Sequence, residues 1–178
     1  MSQWIYKNDS ANKNRFVLGV KGKRPLICIG INPSTATPKK LDNTLTAVSR
    51  RALDYKFDGW IMLNVYPQRA TNPNNLHKRM NKMIHQQNML EIEKIFRQYP
   101  EAPIWAAWGN LIEKRDFLKT CLKDIILLSQ DHKSKWISVG AISKQGHPHH
   151  PLYLKKEFMA EEFDVMGYMK DFSFNMQL

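Results

Sequence analysis

The chain has 178 residues, 43% of them hydrophobic, and 27 Lys and Arg against 16 Asp and Glu give it a formal charge of +11. That length suits a single domain, residues 1–178, with room for a sizeable core, and the charge favours polyanionic partners through counterion release. Two cysteines, Cys28 and Cys121, without paired spacing and with one inside an expected buried strand, argue against a disulfide framework and fit a reducing cytoplasmic setting. The polar stretch Met1 to Arg15 and the lack of any apolar run of about 18 residues give no sign of secretion or of a membrane partner.

Residues 1 to 24 place Trp4, Tyr6, Phe16, Val17 and Leu18 among polar neighbours around a turn at Asn8 to Asn14, the pattern of an antiparallel edge. Leu26, Ile27, Cys28 and Ile29 then form an unbroken apolar run, as expected of a strand covered on both faces. Gly30 permits a bend or a close approach. Pro33 lacks an N–H, so the strand must end near Asn32, leaving a carboxamide and the hydroxyls of Ser34 and Thr35 just beyond its carboxyl end.

After a loop, Leu45, Val48, Ala52 and Tyr55 recur at helical spacing, with Asp42, Asn43 or Thr44 available as the cap and Arg50 and Arg51 expected to face water or a phosphate. Trp60 to Val65 is a second apolar strand, also ending in an Asn, Asn64. The Pro- and Asn-rich segment Tyr66 to Leu76, with Arg69, follows as a loop. Lys78 to Tyr99 has a helical stripe of His85, Met89, Ile92, Ile95, Phe96 and Tyr99, closed by Pro100.

Ile104 to Trp108 reads as a third strand, Gly109-Asn110 as the turn into a helix marked by Leu111, Leu118, Leu122 and Ile125, and Trp136 to Ile142 as a fourth strand. The chain closes with His147-Pro148-His149-His150-Pro151 and an expected terminal helix over Lys155 to Lys170. The order β-α-β-α-β-α-β implies an α/β fold, a three-layer sandwich around a small, mostly parallel sheet. Its strand ends would gather Asn32, Asn64, Trp108-Gly109-Asn110 and the histidines at one edge, where open α/β sheets bind ligands.

Amides and imidazoles suit reading a hydrogen-bonding edge or holding a water or a developing anion. Adjacent histidines in an extended loop point apart and no HExxH or Cys partner accompanies them, so neither metal nor cofactor is expected. Gly30 stands alone without a phosphate-cradling glycine loop, and Ser34 lacks a nucleophile elbow. Asp42 fits a helix cap better than a catalytic base, although its loop could bring it over the site.

Asn32-Pro33-Ser34-Thr35, Asp42-Asn43-Thr44, Asn64-Val65, Gln68-Arg69-Ala70-Thr71-Asn72-Pro73, Ala107-Trp108-Gly109 and Gly146-His147-Pro148-His149-His150-Pro151-Leu152-Tyr153-Leu154 together resemble a bacterial and phage family known as a domain of unknown function, sixteen-forty-three, from about Phe16 to Leu154. More distantly, Gly30-Ile31-Asn32-Pro33, Leu63-Asn64-Val65 and His147-Pro148 resemble three motifs of the uracil-DNA glycosylase superfamily. That resemblance implies the superfamily's fold and a hydrolase of N-glycosidic bonds in which Asn32 holds water, Asn64 reads the base and His147 stabilises the leaving base. Arg69, Lys144, Lys39 and Lys40 would contact phosphates, and Trp108 could stack on the base. Gly30, Pro33, Ser34, Thr35, Gly109, Asn110, His149 and His150 complete the expected binding surface. No aromatic follows Pro33, and the Ser-Pro continuation expected after His147-Pro148 is replaced by His149-His150-Pro151. The competing expectation is a binder of nucleic acid or nucleotide without turnover, since Asn is a weak base. A third is an accessory protein that recognises another protein.

Overall fold

In a computed structural model describing residues 3–173, the run Pro25–Gly30 lies near the middle of a seven-stranded sheet. The strands are β1 (Trp4–Asn8), β2 (Arg15–Val20), β3 (Pro25–Gly30), β4 (Gly59–Asn64), β5 (Ile104–Ala106), β6 (Trp136–Val139) and β7 (Ala160–Glu162), and the helices are α1 (Asn43–Asp54), α2 (Lys82–Gln98), α3 (Asp116–Ser129) and α4 (Val165–Ser173). Their order across the sheet is β1-β2-β4-β3-β5-β6-β7. The central β4-β3-β5-β6 block is parallel, whereas β1, β2 and β7 pair antiparallel at the margins. The sheet is therefore mixed, and the expectation of a mostly parallel one is corrected: the N-terminal hairpin and a strand inside the expected terminal helix both join it.

Alternation along the buried strands divides the core between two faces. Ile27, Ile29, Ile61, Leu63, Ile104 and Ala106 pack with Ile92 and Phe96 of α2, Leu118, Leu122 and Ile125 of α3, and Val165 and Tyr168 of α4. Leu26, Cys28, Trp60, Met62 and Trp105 pack with Leu45, Val48 and Ala52 of α1. Period two in the strands and about 3.6 in the helices send alternate side chains into two hydrophobic layers, one on each side of the sheet.

The helix starts follow local capping chemistry. Asp42 accepts from Leu45 N at 2.9 Å to begin α1, and Asn81 accepts from Ile84 N at 3.2 Å to begin α2. The expected helix over residues 155–170 is replaced by a turn, β7 and then α4. Phe158 and Ala160 pack toward the α1 face at strand spacing, and Asp164 accepts from Gly167 N at 2.9 Å, delaying the helix until Val165. Arg51, expected at the surface, is 8% exposed. It donates to Phe158 O at 2.7 Å and Lys155 O at 3.0 Å, fastening this segment to α1.

Candidate functional site

In the parallel block, the chain leaves β3 for β4 on one side and then returns to β5 on the other, which makes the carboxyl ends of β3 and β5 a topological switch point. The connections diverge there and leave a crevice, the usual ligand position in such sheets. Two adjoining hollows occupy it. One, of about 390 Å³, is lined by Pro73, Trp108, Gly109, Asn110, Leu111, His149, His150 and Tyr153. The other, of about 60 Å³, lies between the end of β3 and the start of α1, with Arg15, Gly30, Asn32, Pro33, Ser34, Asp42 and Thr44 among its walls. Leu111 and His150 line both.

Gly109 makes the junction possible. Its φ is +62°, a backbone conformation that side chains disfavour, and an added Cβ would come within 3.2 Å of His150 Cβ, so the β5 loop and the histidine loop approach more tightly than side chains ordinarily pack. Asn110 donates to Gln145 Oε1 at 2.9 Å and accepts from Ser143 Oγ at 2.8 Å, tying the same two loops from the outside. His150 Nδ1 accepts from Leu152 N at 3.3 Å, which leaves the proton of a neutral ring on Nε2. Burial pushes this imidazole below its ordinary value against the opposing pull of Asp42. Tyr153 is 76% exposed, its ring 5.7 Å from that of His150.

Asn32 is placed at the smaller hollow, but its Nδ2 donates to Ala70 O at 2.8 Å, Pro33 O at 3.0 Å and Gln68 O at 3.4 Å. The side chain thus holds the β4 loop, and Oδ1 is the atom it can offer to a ligand. Ser34 Oγ shares a 2.8 Å hydrogen bond with Thr71 Oγ1, joining the same loops again, while Thr35, Lys39, Lys40 and Lys144 lie exposed. Asn64 pairs in register with Gly30 and is 1% exposed beneath it. Its Oδ1 accepts from Arg15 Nη2 at 3.4 Å.

His147 lies elsewhere. It is 0% exposed, its Nδ1 is 2.9 Å from Tyr168 Oη and its Nε2 is 3.2 Å from Glu113 Oε1. Trp108 Nε1 donates to the same tyrosine at 2.9 Å, and Lys119 Nζ stands 2.7 Å from Glu113 Oε2. Burial pushes the imidazole down despite the favourable charge of Glu113. These contacts draw His147 toward α3 and α4, and it lines neither switch-point hollow.

Arg15 is the site residue that composition and motif did not single out. It is 2% exposed, and its only signal was a basic residue at the head of the apolar run Arg15-Phe16-Val17-Leu18. Among the described residues, no three His, Cys, Asp or Glu side chains gather as a metal ion would require. Two larger hollows lie away from the switch point. One, of about 470 Å³, is at the amino end of β3 beside Lys23, Arg24 and Tyr99. The other, of about 670 Å³, is a groove between α2 and α3 with Met80, Met89 and Leu128. Neither is served by strand carboxyl ends.

Fold and site together define a mixed α/β protein with a polar, aromatic crevice at the switch point of its sheet. The chain belongs to the family described as protein of unknown function (DUF1643), which it matches over residues 15–152. Comparison with curated proteins and with solved structures finds no match. Among the described residues, no helix is long and apolar enough to cross a membrane.

Proposed function

We propose that the protein binds a nucleotide, free or as a unit of a nucleic-acid strand, in the switch-point crevice. The observation that carries this reading is the meeting, at His150 and Leu111, of a 390 Å³ hollow with aromatic and amide walls and a 60 Å³ hollow containing a buried arginine. The larger falls in the ~300–1,000 Å³ range of small-molecule sites. Tyr153 offers a ring for stacking, and Asn110 and the Nε2–H of His150 offer hydrogen-bonding groups beside it. The formal charge of +11 supports an anionic ligand.

A second reading is N-glycosidic hydrolysis, which the likeness to uracil-DNA glycosylase motifs implies, with Asn32 Oδ1 holding the water. Binding is favoured because His147, required for the leaving base, lies apart from the small hollow where Asn32 and Asn64 come near each other. The Asn32 Nδ2 is engaged by loop carbonyls, Asn64 lies under Gly30, and His147 is engaged by Tyr168 and Glu113. Titrating the full chain with nucleoside mono-, di- and triphosphates and short single-stranded oligonucleotides, followed by heat or by intrinsic fluorescence, tests the proposal. Saturable binding that weakens with salt is expected. Absence of saturable binding across the panel overturns it, and abasic sites in uracil- or mismatch-containing oligonucleotides would bring the second reading forward.

A further inference from the structure

The cationic groups around the 60 Å³ hollow are short of negative charge. Arg15 is 2% exposed, yet among the described residues no carboxylate makes an ion pair with it: Nη1 donates to Ala36 O at 3.4 Å, Nη2 to Asn64 Oδ1 at 3.4 Å, and Nε is buried without a partner. Half-buried Arg69 stands beside it, donating to Ser34 O, to the same Ala36 carbonyl at 3.3 Å and to Tyr6 Oη at 2.8 Å, with its own Nε buried and unpartnered among the described residues. Asp42 is the opposing charge nearby, and one of its oxygens already caps α1. Guanidinium does not give up its proton at neutral pH, so two cations meet one partly occupied carboxylate in a setting where unpaired charge is costly.

A second set of groups lies at or just behind the wall of the same hollow. Asn64 Nδ2 is buried without a partner, and it would lie 3.4 Å from a Cβ built on Gly30, a residue lining the hollow. The place a Gly30 side chain would take is filled by Met62 Cε, 2.6 Å from the built Cβ, so the buried amide donor lies behind the flexible end of a methionine that itself lines the hollow. The amino terminus of α1, through Thr44 and Leu45, forms another wall and contributes the positive end of a twelve-residue helix.

We propose that this hollow is an oxyanion subsite that takes a phosphate group, held by Arg15 and Asn64 with Arg69 behind them. Its volume is far below the ~300 Å³ at which sites for whole small molecules begin, so it would not hold a base, whereas a tetrahedral oxyanion is compact and needs the several donors that surround this hollow. Because it joins the larger hollow at His150, a nucleotide with its base near Tyr153 would direct its phosphate inward to Arg15. The subsite rests on the nucleotide reading for what carries the phosphate.

The test uses inorganic phosphate on the full chain, with chloride at matched ionic strength as the control, read by thermal melting and titration calorimetry. Phosphate should raise the melting temperature where chloride does not, and nucleoside monophosphates should bind about tenfold or more tighter than the corresponding nucleosides. Asn64→Asp places an internal carboxylate next to Arg15 with little change of shape. It should melt higher than the native chain without phosphate and lose the phosphate response. Arg15→Gln should lose the response too, and if it fails to fold, Asn64→Asp still decides the matter. An unchanged native melting temperature in phosphate, or a response that survives in Asn64→Asp, overturns the subsite. Nucleosides binding as well as their monophosphates would remove the subsite and leave the nucleotide cleft standing. A phosphate response lost in Asn64→Asp, without binding of any nucleotide, would support the subsite and remove the nucleotide reading.

Discussion

Asn32 Nδ2 donates to the carbonyl oxygen of Ala70 at 2.8 Å, so a side chain just past β3 holds the loop that follows β4. The same amide reaches Gln68 O, and Ser34 meets Thr71 two positions further along the chain. Asn32 therefore has a structural task whatever it does for a ligand. Asn32→Ala should destabilise the protein by about 1–3 kcal/mol, the cost of leaving loop carbonyls short of a donor in a partly buried place. Urea unfolding checks this. An unchanged midpoint would show that the loop is held by other contacts, and any loss of ligand binding could then be assigned to Oδ1 directly.

Tyr168 joins Trp108 Nε1 and His147 Nδ1 through a single hydroxyl. Tyr168→Phe removes both hydrogen bonds at almost constant volume and should cost about 1–3 kcal/mol. Trp108 of this network lines the larger hollow whereas Tyr168 and His147 line neither, so nucleotide affinity should change little in the folded variant as long as Trp108 keeps its place. A folded Tyr168→Phe that has lost binding would mean that the His147 network shapes the crevice after all.

Histidine burial sets the direction of the pH response. His147 and His150 both sit below the ordinary imidazole value of 6.5 when folded, each chiefly through burial. The unfolded chain then binds more protons in acid, so their contribution is fully present above about 6.5 and is lost as pH falls through the lower folded values. Melting temperature measured downward from neutral pH should fall in this range, and His147→Phe should flatten that slope if it folds. His150→Gln supplies the same test at a less buried position. A native melting temperature that holds steady from neutral pH down through the imidazole range would mean that burial does not depress these two rings.

The central strands were legible because their apolar runs are unbroken and their ends are marked. Leu26–Ile29 is closed by Gly30 and Pro33, and the run from Trp60 is closed by Asn64 and the Pro-rich loop. The helix cap at Asp42 followed from side-chain chemistry that acts over three residues. Long-range burial was not legible. Arg15 looks solvated in sequence and becomes buried because the antiparallel hairpin turns it beneath the β3 loop, and the His147 environment depends on Tyr168, distant in the chain. β7 was missed because Phe158, Ala160 and their neighbours fit a short strand and a helix almost equally well, and the edge of β6 decides between them.

Gly30 can be tested without touching a charged group. An added Cβ would stand 2.6 Å from Met62 Cε and 3.4 Å from Asn64 Nδ2. The Met methyl is the flexible end of its side chain, so Gly30→Ala should fold at the low end of the ~1–3 kcal/mol cost of overpacking. The new methyl would narrow the small hollow, and phosphate affinity should fall while the variant remains cooperatively folded. Calorimetry with inorganic phosphate on a variant of measured stability separates the two effects, and undiminished affinity would place the anion elsewhere.

Tyr153 gives the clearest separation of binding from folding. It is 76% exposed and lies on a short helical turn, Pro151–Tyr153, fixed by Pro151 and by the His150 cap. Removing an exposed ring of this kind should move stability by no more than about 0.5 kcal/mol. If a base stacks there, Tyr153→Ala forfeits about 1–3 kcal/mol of contact, or about five- to 150-fold in affinity, whereas Tyr153→Phe keeps most of it. Titration of both variants with the tightest nucleotide of the panel reads this directly. Equal loss in the two would indicate that the hydroxyl does the recognising, and no loss in either would move the base away from this wall of the crevice.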